Sequence, residues 1–200
     1  MLMPAEVPRL ARACADLIVT KVGHFQTFHW RRLAALGVSP PEALIGAAEV
    51  DDGVETVSCV VACSAQSALL PIFMGVPPLG DLHQVMGAVL RHASLPAPTI
   101  RLHHTLSLPA EGFFGDEGLA GVILLPAATL GYLGGLPSPW AGPDGVLRAF
   151  VLPVFLDADE YRLARRDPGE LMDALERSGR DLMSVRRRFL PGSEPATGIR

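Results

Sequence analysis

The sequence predicts an α+β fold: a single domain in which a mixed or largely antiparallel sheet is flanked by helices. Three observations lead there. Apolar residues recur at steps of three and four in some stretches, and at steps of two or without interruption in others, so both helices and strands are expected. An acidic turn containing a glycine lies between two strand-like runs, which signals antiparallel pairing. The length, 200 residues, is ample for one sizeable core. Residues 1–185 are assigned to the domain and 186–200 to a basic C-terminal tail.

The first helix is expected from Pro8 to Val22. Pro8 suits a first helical turn, and Leu10, Cys14, Leu17, Ile18 and Lys21 follow at helical spacing, giving an apolar stripe with a charged edge. "HFQTFHWRRLAALGVSPP" then reads as a short strand or irregular segment. "EALIGAAEV" and "ETVSCVVACS" flank Asp51, Asp52 and Gly53 and predict a hairpin, and "SALLPIFM" continues the sheet after a bend at Ser64 to Ser67. In "DLHQVMGAVLRHA", Asp81 is the expected N-cap with Gln84 three residues on. Leu82, Val85, Met86, Val89 and Leu90 form the buried face of that helix.

In the second half, "TIRLHHTLSL" alternates with period two. Ile100, Leu102, His104 and Leu106 are therefore expected on one face of a half-buried strand, with Arg101, His103 and Thr105 on the other. "AGVILLPA" is a buried strand by composition, and "TLGYLGGLPSPWAGPDG" is a long Gly and Pro loop. "VLRAFVLPVFL" is a further strand. Asp157 then stands where an N-cap belongs, Glu160 completes a capping box, and Asp159 suits the positive end of the helix. The device recurs at Asp167, Pro168 and Glu170, before a helix that ends at Gly179.

Charge and composition exclude several classes of function. Acids outnumber Lys and Arg by 21 to 17, and the sequence pI is about 5.8. Nucleic acid is therefore not an expected partner, because binding phosphates needs a clustered basic surface. Only "SVRRRF", Ser184 to Phe189, concentrates positive charge, as a solvated tail. Two spans, Thr56 to Gly80 and Gly118 to Pro143, exceed the roughly 20 residues of a bilayer crossing. Their Gly, Pro and polar residues, with acidic flanks, make each a strand and loop instead, so no membrane span is expected. The N-terminus carries Pro4, Glu6 and Asp16 where a secretory signal needs a positive start and an apolar core, and a cytoplasmic location is expected. The three cysteines agree with it. Cys59 and Cys63 share one strand face but lie about 13 Å apart, too far for a disulfide or a shared metal.

No motif completes a catalytic constellation. The adjacent His103 and His104 point to opposite faces of the expected strand and so do not ligate one metal. The glycines after Thr129 lack the Lys and Ser or Thr of a phosphate loop. The carboxylates at residues 157–160 and 167–170 have capping tasks. The strongest enzymatic alternative pairs His104 with Asp116 or Glu117 as a general base and its orienting group in a small hydrolase or transferase, but no Gly-x-Ser-x-Gly elbow supplies a nucleophile. No cofactor is implied. A second alternative is a self-assembling scaffold subunit, for which exposed strand edges and the Trp140 loop are the motive.

From Arg101 onward the order of features resembles the suppressor of fused-like domain family. The matching pieces are "HHTLSLP" (His103 to Pro109), "GVILLPA" (Gly121 to Ala127), "VLRAFVLPVFLDADEYRLA" (Val146 to Ala164) and "GELMDALE" (Gly169 to Glu176), covering roughly the C-terminal half. The resemblance implies a non-enzymatic protein-binding module. In its stand-alone bacterial form it implies an immunity protein that neutralises a toxin, the toxin being the protein partner. Docking is expected on an open sheet edge, with Tyr132, Leu136 and Trp140 of the long loop as anchors and His104 as a further contact.

Overall fold

The computed structural model describes residues 6–23, 27–51, 56–75, 79–93, 103–110 and 113–178. The fold class is α+β. In chain order the elements are α1 (Glu6–Val22), β1 (His29–Arg32), β2 (Leu44–Asp51), β3 (Thr56–Cys63), β4 (Leu69–Gly75), α2 (Leu79–His92), β5 (Thr105–Ser107), α3 (Phe113–Asp116), β6 (Leu119–Pro126), β7 (Trp140–Ala141), β8 (Leu147–Asp157), α4 (Ala158–Arg166) and α5 (Pro168–Ser178). The strands form a mixed sheet in the order β1-β2-β3-β4-β8-β6-β5, with β7 beside β8. The chain divides into two compact units, Met1–Leu102 with Leu124–Pro153, and His103–Ile123 with Val154–Arg200.

In the first unit, β1 to β4 form an antiparallel meander. The expected hairpin is β2 and β3, paired from Leu44 with Cys63 to Asp51 with Thr56; the turn itself lies outside the described residues. Both faces of β3 are buried from Ser58 to Cys63, which explains its unbroken apolar run. Helix α1 contacts β2 and β3 and buries Leu10, Ala11, Cys14 and Ile18. Trp30 of β1 pairs with Gly46 of β2, and a Cβ at Gly46 would fall 2.8 Å from the indole, so only glycine leaves room for the ring. Strand β4 first runs parallel to β8, from Leu69 beside Ala149 to Pro71 beside Val151, and then pairs antiparallel with β3 from Ile72 to Gly75.

Helix α2 buries Leu82, Val85, Met86, Val89 and Leu90, the expected face, but it starts at Leu79. Asp81 therefore stands in the first turn and is not the N-cap.

The second unit pairs β5 antiparallel with β6, Thr105 beside Ile123 and Ser107 beside Gly121. His103 has φ of 74°, in the left-handed region, and the described strand begins only at Thr105. The alternation expected through His103 and His104 is interrupted, because a left-handed residue turns the chain out of the extended conformation. Ile100 to Leu102 lie outside the described residues. Phe114 of α3 stacks on Phe155 of β8 at 5.5 Å, and α4 packs against α5. The two long uncharged spans contain β3 with β4, and β6 with β7; among the described residues no helix is long and apolar enough to cross a membrane. The tail from residue 186 and the expected stop at Gly179 lie outside the described residues.

Candidate functional site

The junction of β8 and α4 is built by the acids of "DADE". Asp157 Oδ1 accepts hydrogen bonds from the backbone N–H groups of Asp159 and Glu160, both at 2.8 Å. Glu160 Oε2 accepts in return from the Asp157 N–H at 3.1 Å, completing the capping box. Both carboxylates are buried by this work. One residue after α4, Asp167 Oδ1 accepts from the Glu170 N–H at 3.0 Å and starts α5. These acids close helix ends, as their spacing predicts.

With its start pinned, α4 presents Ala158, Tyr161, Arg162, Arg165 and Arg166, at steps of three and four along one face. Together with Ala120 of β6 they line an open hollow of about 520 Å³. Its shape follows from small residues. Ala120 and Ala158 leave the space, and Gly121 admits the half-buried Tyr161 ring, with which any Cβ at position 121 would collide. Arg162 pairs with Asp159 at 2.6 Å and Arg166 with Glu170 at 2.9 Å, all four side chains largely exposed. Arg165, also exposed, has no acidic partner among the described residues. Among the described residues the lining thus holds three guanidinium groups and a phenol, with no carboxylate, thiol or imidazole.

The residues singled out from sequence lie elsewhere. Leu136 is only 4 % exposed, so the side chain expected to anchor a partner belongs to the core of the first unit; this corrects the docking assignment. The loop carrying it folds back through short 3-10 turns at Ala127–Thr129 and Gly131–Leu133, which bury Leu133 and Leu136 rather than display them. Tyr132 falls in the second turn, and its side chain lies outside the described residues. Trp140 is half-buried in β7, its ring 5.8 Å from that of the buried Phe150. His104 belongs to the second unit, half-buried just before β5, and neither it nor Asp116 nor Glu117 lines the hollow.

Electrostatics argue against thiol chemistry in the described structure. Cys14, Cys59 and Cys63 are free and buried. Burial pushes the Cys59 and Cys63 thiols up to about 12, and burial, aided by the two neighbouring cysteines, raises Cys14 as well. A thiol is nucleophilic as its thiolate, and these stay protonated at neutral pH. Among the described residues no group of three or more His, Cys, Asp or Glu side chains could hold a metal ion.

Sequence reasoning passed over the face of α4 because its arginines read as an ordinary solvated stripe. The available signal was Tyr161, Arg162, Arg165 and Arg166 at helical spacing immediately after a strong cap; the opposing Ala120 and the permissive Gly121 come from a strand remote in sequence. No known protein family, curated protein or solved structure matches the chain.

Proposed function

We propose that the chain is a non-enzymatic protein-binding module that engages its partner through the outer face of α4. The observation that carries the reading is the lining of the hollow: Tyr161 and three arginines around a floor of alanines. Tyrosine and arginine dominate the energetics of protein interfaces, because each combines a large contact area with directed hydrogen bonding. The resemblance of residues 146–164 to the suppressor of fused-like domain falls on the same helix and supports partner binding. An immunity protein acting on a toxin is the biological form it implies. The free cysteines suit a reducing compartment such as the cytoplasm.

The test places a photo-crosslinking residue at Ala158, in the hollow, or at Ala34, exposed on the 3-10 turn after β1, in the source cell. A protein captured from Ala158 and not from Ala34 is then purified and titrated against the chain. Ala158→Trp, which fills the hollow from an exposed position, should weaken that affinity by about 2 kcal/mol, the scale of an interface hot spot, with an unchanged circular dichroism spectrum. Identical captures from the two positions, or an affinity indifferent to Ala158→Trp, would remove the reading.

A further inference from the structure

We infer that the segment received by this hollow is acidic, a run of Asp and Glu side chains on the partner protein, with Arg165 as its anchor; this rests on the protein-binding reading above. A guanidinium carries five N–H donors, and Arg162 and Arg166 each commit one of them to a carboxylate of their own chain, at 2.6 and 2.9 Å. Arg162 and Arg166 lie along the same face as Arg165, and their two pairs display the geometry in which these guanidinium groups meet carboxylates. Arg165, between them, has no acid to meet among the described residues, and none of the described lining residues is negative. Tyr161 adds a hydroxyl group, and Ala120 and Ala158 leave room for an incoming side chain.

Charge complementarity then selects the occupant. The chain as a whole carries a formal charge of −4, so an acidic partner is repelled by most of it and attracted where guanidinium groups line a hollow. That combination orients an acidic polypeptide as well as holding it. A nucleic acid meets the same repulsion along its length and needs many more cationic contacts. A lone small anion in so open a hollow keeps its hydration and gains little, whereas a peptide adds neighbouring contacts from its own backbone and side chains.

The test titrates the full-length chain, isotopically labelled, with an acetylated octapeptide of alternating Asp and Glu, with octalysine and with inorganic phosphate. The expected result is saturable amide shifts clustered at residues 158–166 for the acidic peptide alone. Affinity should fall at least fivefold in Arg165→Glu, and less in Arg165→Lys. It should also fall as salt is raised across about 0.05–0.3 M, where the screening length shortens to under 10 Å. No saturable shift with the acidic peptide overturns the inference, as does one that Arg165→Glu leaves unchanged. Equal shifts with phosphate at the same concentration reduce the feature to a small-anion site and overturn it as well. A crosslinked partner that is lost in Ala158→Trp but indifferent to Arg165→Glu and to salt sinks the acidic segment alone and leaves the protein-binding reading standing.

Discussion

Arg148 is fully buried, and its position is held by five hydrogen bonds: Nε to the Ser67 carbonyl at 3.0 Å, Nη1 to Asp144 Oδ1 and the Val146 carbonyl, Nη2 to Asp144 Oδ2 and the Ala65 carbonyl. Every donor is used, which is the condition for burying a guanidinium without a large penalty. The hydrogen bond from Arg148 is the main reason the Asp144 carboxyl is held below its ordinary 3.8. The folded chain therefore binds fewer protons at Asp144 than the unfolded chain in that range. This contribution to stability is complete above the ordinary value and is lost as pH falls through the depressed one. Asp144→Asn should consequently be less stable than the parent at pH 7, with the gap in urea unfolding closing as pH falls below the ordinary 3.8 and through the depressed value. Arg148→Ala should cost about 3 kcal/mol at neutral pH, since it strands the buried Ser67 carbonyl and the part-buried Ala65 carbonyl as well as the carboxylate. The cysteines allow a simpler measurement. Cys14, Cys59 and Cys63 should resist a thiol-specific reagent in the native chain at pH 8 and all react once it is unfolded in denaturant; labelling of the native chain at the unfolded rate would contradict their burial.

Among the elements, α4 shows how far local chemistry reaches. Asp157 and Glu160 are three residues apart, and their reciprocal hydrogen bonds need nothing from the rest of the chain, so the helix start was legible in "DADE". Asp157→Ala should destabilise the fold by about 1 kcal/mol, the usual worth of an N-cap, and Asp157→Asn by less, since an amide oxygen still accepts from the Asp159 and Glu160 N–H groups. Thermal denaturation of the two variants in parallel checks the order. The buried faces of α1 and α2 were legible for a related reason: a stripe repeated at helical spacing is specified by the period alone. The period-two pattern does not extend β5 back through His103, which alternates correctly in sequence yet takes positive φ, a choice made by the turn it sits in. The Trp140 loop misled differently. Its glycines and prolines do mark irregular backbone, but Leu133, Leu136 and the Trp140 ring are drawn inward, and apolar content alone does not tell a displayed loop from one folded onto a core.

For the chain taken together, the sheet order is the property least visible in the letters. The meander from β1 to β4 joins neighbours in sequence and follows from short connections. The next partner of β4 is β8, parallel, with Leu70 beside Phe150, while β6 and β5 come beyond it. Strands β3, β4, β6 and β8 are all largely apolar, of 7 to 11 residues, and each offers backbone donors and acceptors of the same kind. Which two become neighbours depends on side-chain fit summed over many residues distant in sequence, not on any single segment. The same dependence made Arg148 a buried pin where composition shows only a basic residue in a strand, and assembled the hollow from Ala120 of β6 and one face of α4. Sequence alone settles the fold class, the capped starts of α4 and α5, the hairpin and the buried helix faces, because those signals are complete within a few residues. Long-range packing settles strand neighbours, the fate of the loop and the location of the open surface, because each depends on contacts between segments that no local pattern pairs.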